Sequence, residues 1–142
     1  MALMKPAPIA LVLSFALTSC GQVCTEVGCT QTVRFVLPGE AAMKFEEGPA
    51  LVRTCINGVC WDASSGDTAS LDVFYDATSR VLQVRHAVNF NGDAADVSLT
   101  VSRDGTELFA SAWNDVDFAV DMPNGPSCPP TCRSAGPLTF PE

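Results

Sequence analysis

Residues 51–61 read Leu-Val-Arg-Thr-Cys-Ile-Asn-Gly-Val-Cys-Trp, and this stretch decides the fold. Asn-Gly between two extended, largely apolar runs is the strongest short signal for a β-hairpin. If Asn57 and Gly58 form a two-residue turn, Cys55 faces Cys60 as a non-hydrogen-bonded pair with Cα atoms about 4.5 Å apart, within disulfide range. The stretch therefore predicts a hairpin closed by a Cys55–Cys60 disulfide.

The rest of the chain from Thr30 onward repeats the period-two pattern of strands, broken by Gly, Asp, Asn and Pro, with no convincing helical stripe. Asp104-Gly105 predicts a second tight hairpin. The further strand candidates are 33–37, Leu71 to Tyr75, Val81 to Val88, Val97 to Ser102, Glu107 to Ala110, Val116 to Asp121 and Leu138 to Phe140. Short strands about ten residues apart predict an all-β fold, a β-sandwich of immunoglobulin or fibronectin type, with a small β-barrel as the alternative.

Length and charge limit the function classes. A chain of 142 residues has room for one domain of ordinary size. Its formal net charge is -8. Binding to nucleic acid through a basic patch is therefore disfavoured.

The N-terminus has the features of an export signal. Lys5 is followed by an apolar run from Ile9 to Leu17, about half the length needed to cross a bilayer, as in the core of a signal peptide. Leu17-Thr18-Ser19-Cys20 then follows and resembles the lipobox of bacterial lipoprotein precursors.

This resemblance implies cleavage between Ser19 and Cys20 and attachment of a diacylglyceryl group to the Cys20 sulfur. We expect a signal peptide over 1–19, a lipidated tether over 20–30 and one disulfide-stapled β-sandwich domain over 31–142. Several acyl chains hold a protein stably on a membrane. Since Gly21 and not Asp follows Cys20, the expected location is the cell envelope, at the outer membrane if the host is Gram-negative.

Seven cysteines are many for so short a chain. Setting Cys20 aside leaves an even set, which favours three disulfides in an oxidising compartment, among fifteen pairings. The disulfide candidates are Cys24, Cys29, Cys55, Cys60, Cys128 and Cys132. Four-thiolate zinc is the weaker alternative, and the pattern of a redox Cys-x-x-Cys helix is missing.

The stretch 123–133, Pro-Asn-Gly-Pro-Ser-Cys-Pro-Pro-Thr-Cys-Arg, is the most distinctive of the mature chain. It is similar to a segment near the C-terminus of small uncharacterised bacterial lipoproteins with Ig-like folds. The resemblance covers about a dozen residues and implies no activity.

Catalytic patterns are not evident in the sequence. His86 is the only histidine, and a surface or strand-end role is a better interpretation than catalysis. Catalysis by paired carboxylates stays open, because acids are plentiful. Asn91 to Asp96 and Asn114 to Asp117 are rich in oxygen ligands, yet they are more simply solvated turns, so no metal site is predicted. The only group we expect to be bound is the covalent lipid.

Counting strands as alternately leaving and approaching the anchor places all six remaining cysteines at the membrane-proximal end. The opposite end would then hold 38–48, 63–70, 89–96 and 111–115. These loops contain a predicted acidic tip, made of Glu40, Glu46, Glu47, Asp67, Asp93, Asp96 and Asp115. Such a tip suits a basic envelope or extracellular protein, or a cation.

Three functions compete at this point. The first is a membrane-anchored, non-enzymatic binding or structural module. The second is an envelope enzyme using carboxylates in a cleft. The third is a metal or small-ligand carrier using the cysteines or the acidic loops.

Overall fold

The computed structural model describes residues 30–69, 71–86 and 92–141. The signal peptide, the lipobox with Cys20, and the disulfide candidates Cys24 and Cys29 lie outside these ranges. The described elements, in chain order, are β1 (Gln31–Val36), α1 (Gly39–Glu46), β2 (Leu51–Ile56), β3 (Val59–Ser64), β4 (Val73–Asp76), β5 (Val81–His86), β6 (Ala94–Arg103), β7 (Thr106–Asp117), β8 (Ala119–Asp121) and β9 (Cys132–Thr139).

The strands form two sheets. One has the order β4-β5-β1-β9-β8 and the other the order β3-β2-β6-β7. All neighbouring strands pair antiparallel except β1 and β9, which are parallel. The prediction of an all-β sandwich is confirmed, and in the part of the chain that is described the sheets do not close into a barrel.

Both predicted hairpins are present. Ile56 pairs with Val59 across Asn57-Gly58, and Arg103 pairs with Thr106 across Asp104-Gly105. All four turn residues have positive φ, between 49° and 78°. Turns of this kind match the twist of the flanking strands, which is why Asn-Gly and Asp-Gly specify them.

The core lies between the sheets and is built from alternate strand residues. Val33 and Phe35 of β1 face Val97, Leu99 and Val101 of β6, and all five side chains are at most 1% exposed. One contiguous cluster joins these residues to the buried side of α1. Period-two patterning therefore located the core correctly.

The prediction of a loop over Pro38 to Gly48 is wrong, because Gly39–Glu46 is helical. Ala41, Ala42 and Phe45 share the helix face that is buried on the core. Glu40 and Lys44, four residues apart, form an ion pair of 2.9 Å. The apolar stripe spans only two turns, too short to stand out from its polar neighbours in the sequence.

The prediction of a loop over Ser111 to Asp115 is also wrong. Strand β7 is one strand from Thr106 to Asp117 along β6, with an irregularity in the pairing at Asn114 and Asp115, between Trp113 and Val116. The candidate strand Val116 to Asp121 divides at Phe118, where the chain leaves one sheet and enters the other as β8. The last strand begins at Cys132, six residues before the prediction.

The two ends of the sandwich differ. We call the end with Val36, α1 and the Asp104–Gly105 turn the helix end, and the end with Gln31 and the Asn57–Gly58 turn the cysteine end. Cys55 and Cys60 lie at the cysteine end beside the turn. The loop with Cys128 joins β8 to β9 at this same end.

Between the Asn57–Gly58 turn and the loop with Cys128, the predicted directions of the strands were wrong. β3 ends at the helix end, but β4 runs antiparallel to β5 and starts at the cysteine end, so the chain changes ends between Ser64 and Val73. Strands β4 to β6 and the predicted strand Glu107 to Ala110 therefore run opposite to the count. The prediction also divided β7 into two strands, and this second error reversed the predicted direction once more. The loop Met122 to Ala135 was therefore placed at the correct end because the two errors cancel.

Candidate functional site

The acidic tip predicted from the sequence is divided between the two ends. Glu40, Glu46, Glu47 and Asp67 lie at the helix end, on or near α1. Asp93, Asp96 and Asp115 lie at the cysteine end, where Asp96 contacts the Asn57–Gly58 turn. The tip as predicted is therefore wrong, because the strands that lead to the second group run the other way.

The glutamates at the helix end are engaged by neighbouring side chains. Lys44 binds Glu40, and its hydrogen bond and charge lower the pKa of that carboxyl. Glu46 Oε1 accepts a hydrogen bond of 2.7 Å from the Tyr75 hydroxyl. Glu47 pairs with Arg103 at 3.2 Å. These contacts make the glutamates part of the local structure.

Arg103 fastens α1 to the hairpin of β6 and β7. Its guanidinium donates to the carbonyl oxygens of Lys44 at 2.9 Å, Gly48 at 2.8 Å and Pro49 at 3.1 Å. The last carbonyls of a helix have no partner within the helix and carry partial negative charge. Arg103 thus supplies both the missing donors and a favourable charge.

Tyr75 contacts α1 at the helix end. Its ring packs edge-to-face on Phe45 of α1, with centroids 5.0 Å apart. Burial, and then the hydrogen bond and charge of Glu46, raise the pKa of Tyr75 to about 12. Ionising the phenol would bury a negative charge beside a carboxylate, which explains the direction of the shift.

At the cysteine end, Asp96 connects the Asn57–Gly58 turn to the backbone of Asp115. Asp96 Oδ1 accepts from the Asp115 backbone N–H at 3.1 Å, and the Asp96 N–H donates to Asn57 Oδ1 at 2.9 Å. The described residues contain no group of three His, Cys, Asp or Glu side chains placed to hold a metal ion.

A groove opens at the helix end between α1 and β7, with a volume of about 280 Å³. Its lining is mostly apolar, with the Glu40–Lys44 pair on one side, and consists of Pro38, Glu40, Ala41, Lys44, Phe109, Ala110 and Phe140. This groove was not predicted from the sequence, because it is formed by α1 and by the full length of β7. The pair Phe109 and Phe140 was visible as strand residues, but nothing in the sequence indicated that they meet.

Aromatic side chains connect the groove to the core. Phe140 packs edge-to-face on Phe109, at 6.0 Å between centroids, and on Trp113, at 5.4 Å. Trp113 in turn lies 5.2 Å from the Phe35 ring and donates its Nε1–H to the Thr139 carbonyl. Phe109 and Phe140 of the groove wall are therefore joined by ring contacts to Phe35 of the buried core.

The described cysteines form disulfides. The predicted Cys55–Cys60 bond is confirmed, with Cα atoms 3.9 Å apart. Cys128 and Cys132 are disulfide-bonded as well.

His86 ends β5, as expected for a strand-end histidine, but the expected surface position is wrong because the residue is only 3% exposed. Its Nε2 lies 3.2 Å from the Thr54 carbonyl oxygen. This contact links the two sheets near the cysteine end.

Comparison with known proteins finds no match among protein family models, curated proteins or solved structures. In the described ranges, helical structure does not reach the length and hydropathy that crossing a membrane requires.

Proposed function

We propose that this chain is a lipoprotein of the bacterial envelope, anchored through Cys20, that acts as a non-enzymatic binding module and meets its partner at the helix end. One observation carries the proposal. The domain begins at the cysteine end, while the groove beside α1 lies at the opposite end.

The chain length between the anchor and the domain supports this orientation. Ten residues lie between Cys20 and Gln31, a reach of at most roughly 35 Å. A short tether keeps the end at which it joins the domain next to the lipid. The helix end then points away from the membrane, toward other molecules.

The cysteines support the same orientation. With Cys55 bonded to Cys60, we expect Cys24 and Cys29 to supply the partners of Cys128 and Cys132. Two such bonds would tie the tether to the β8–β9 loop. Peptide mapping without reduction tests this, and a Cys24–Cys29 linkage would contradict it.

The environment of the acidic residues favours a module over a carboxylate enzyme. The buried polar side chains among the described residues are Gln31, Thr54 and His86, and the glutamates of the helix end are bound by Lys44, Tyr75 and Arg103. A thiolate carrier is disfavoured because the described cysteines are used in disulfides.

The first test concerns the anchor. Expressed in a bacterium, the wild type should partition into the detergent phase, and Cys20→Ala should stay unprocessed or become soluble. Wild-type protein in the aqueous phase with an unmodified N-terminus would contradict lipidation.

The second test concerns the binding end. A photo-crosslinking amino acid at Met43, 65% exposed on α1, is compared with one at Val59, 48% exposed beside the Asn57–Gly58 turn. In membranes of the native host, we expect discrete protein adducts from position 43 and lipid or no adducts from position 59. The reverse pattern would contradict the proposed orientation.

A further inference from the structure

Strand β7 leaves one edge of its sheet open. In the described part of the chain it pairs with β6 alone and stands last in the order β3-β2-β6-β7. At twelve residues it is the longest strand there. An open edge presents a row of backbone N–H and C=O groups to which another strand can pair.

The register identifies which groups face outward. Arg103 and Thr106 flank a two-residue turn and therefore form a hydrogen-bonded pair. Beyond the bulge that follows, Val101 with Phe109 and Leu99 with Ser111 are again hydrogen-bonded pairs. Ala110 and Ala112 lie between these positions, so their N–H and C=O groups point to the open edge, and both residues are exposed.

Between the two irregularities in its pairing, this edge lacks the charged residues and prolines that usually protect an edge strand. Natural edge strands are commonly short, or carry charged residues or proline. The other sheet has β4 with four residues and β8 with three at its edges, and β3 has Asp62 in its middle. In β7 the six residues from Leu108 to Trp113 contain neither a charge nor a proline.

The groove beside α1 adjoins this edge. Phe109 and Ala110 of β7 form part of its wall, so a strand added along β7 would place an apolar side chain in it. In strand addition, main-chain hydrogen bonds supply affinity and such pockets supply specificity.

Charge indicates the partner. Acidic Glu107 and Asp115 flank the uncharged run of β7, and Asp117 ends the strand. A second copy would bring the same acidic residues against them, in a chain whose net charge is already -8. An added strand with basic residues at its ends is the complementary occupant.

We propose that β7 accepts an extended segment of another envelope protein, which pairs with Ala110 and Ala112, fills the groove with an apolar side chain and carries basic residues at its ends. This inference rests on the proposed binding function and specifies its mode. The binding function does not require strand addition at β7, since a partner can also be bound by side chains alone.

The experiment uses the full processed chain in detergent and a fluorescein-labelled probe peptide, Lys-Val-Thr-Val-Thr-Val-Arg. Binding is followed by anisotropy, and protection of residues 106–117 by hydrogen exchange. Two matched peptides serve as controls: one with every backbone amide N-methylated, which has no N–H to donate at either edge, and one with Glu at both ends. We expect saturable binding of the probe and at least tenfold weaker binding of each control.

Ala112→Pro removes an outward N–H that β6 does not use, so this variant should fold and bind the probe at least tenfold more weakly. Ala112→Val keeps the N–H and should bind as the wild type does. If Ala112→Pro fails to fold, the N-methylated peptide tests the same hydrogen bonds on wild-type protein.

Equal binding of the probe and the N-methylated peptide would overturn strand addition, as would no binding of the probe. Self-association that Ala112→Pro abolishes, seen by light scattering, would show that the occupant is a second copy and overturn the proposed partner. These results leave the crosslinking test of the helix end standing, so the two proposals fail separately.

Discussion

The cysteine end and the helix end are stabilised by different chemistry. At the cysteine end a covalent bond joins neighbouring strands, and the side chains of Asn57 and Asp96 satisfy the backbone of adjacent turns. At the helix end, α1 is held by the buried Phe45 and by Arg103, without a disulfide among the residues described there. The first end should therefore respond to reduction, and the second to changes in packing and charge.

Removing the apolar contact of α1 should have the largest effect. Phe45 is 6% exposed and packs on Tyr75, so Phe45→Ala should lower the free energy of unfolding by about 3 kcal/mol. Met43→Ala, on the exposed face of the same helix, is the control and should change it by less than about 0.5 kcal/mol. Urea denaturation measures both, and equal losses would show that burial of Phe45 does not hold α1.

Removing the charged contact of α1 should lower the free energy of unfolding slightly less than Phe45→Ala does. Arg103→Met keeps most of the side-chain bulk but leaves several carbonyl groups without their donor, for an expected loss of about 2 kcal/mol. Arg53→Met breaks the exposed pair with Asp62 and should cost less than about 1 kcal/mol. If the two variants unfold at the same urea concentration, Arg103 does not fasten the helix.

Reduction should distinguish the two ends. Replacing both Cys55 and Cys60 by Ala opens a loop with a sequence separation of five, and a loop this small gives about 2 kcal/mol or less. Hydrogen exchange should rise around the Asn57–Gly58 turn, while α1 keeps its protection. Increased exchange in α1 of the same variant would show that the two ends are coupled.

The smallest effect is spectroscopic and concerns Tyr75, the single tyrosine of the chain. Its absorbance as tyrosinate should appear near pH 12 and not near pH 10. Because the folded pKa lies above the unfolded one, this group's contribution to stability is complete below pH 10 and is lost as the pH rises to about 12.

Glu46→Gln removes the acceptor charge and should lower the pKa of Tyr75, with burial keeping it above 10. Asp76→Asn is the control, since Asp76 is the weakest cause of the shift. A wild-type titration centred at pH 10 would contradict the described contact between Tyr75 and Glu46.

Local patterns predicted the hairpins, the Cys55–Cys60 bond and the alternate core residues of β1 and β6, since these depend on residues close in sequence or on side-chain period. They failed at α1, where two helical turns are stabilised by burial of Phe45 and by Arg103, 58 residues away. They failed again at β7, because Asn114 and Asp115 resemble a turn but form an irregularity in the pairing with β6 within one continuous strand.

By itself the sequence determined the class of fold, the two tight turns and the residues that face inward. Backbone preferences of Asn-Gly and Asp-Gly and the alternation of strands act over a few residues, so they can be read locally. Only the tertiary structure decided which loops share an end, because the chain crosses from one end to the other between Ser64 and Val73 and so reverses β4, β5 and β6 relative to simple alternation. The groove and the open edge of β7 depend on that arrangement and could not be read from any one segment.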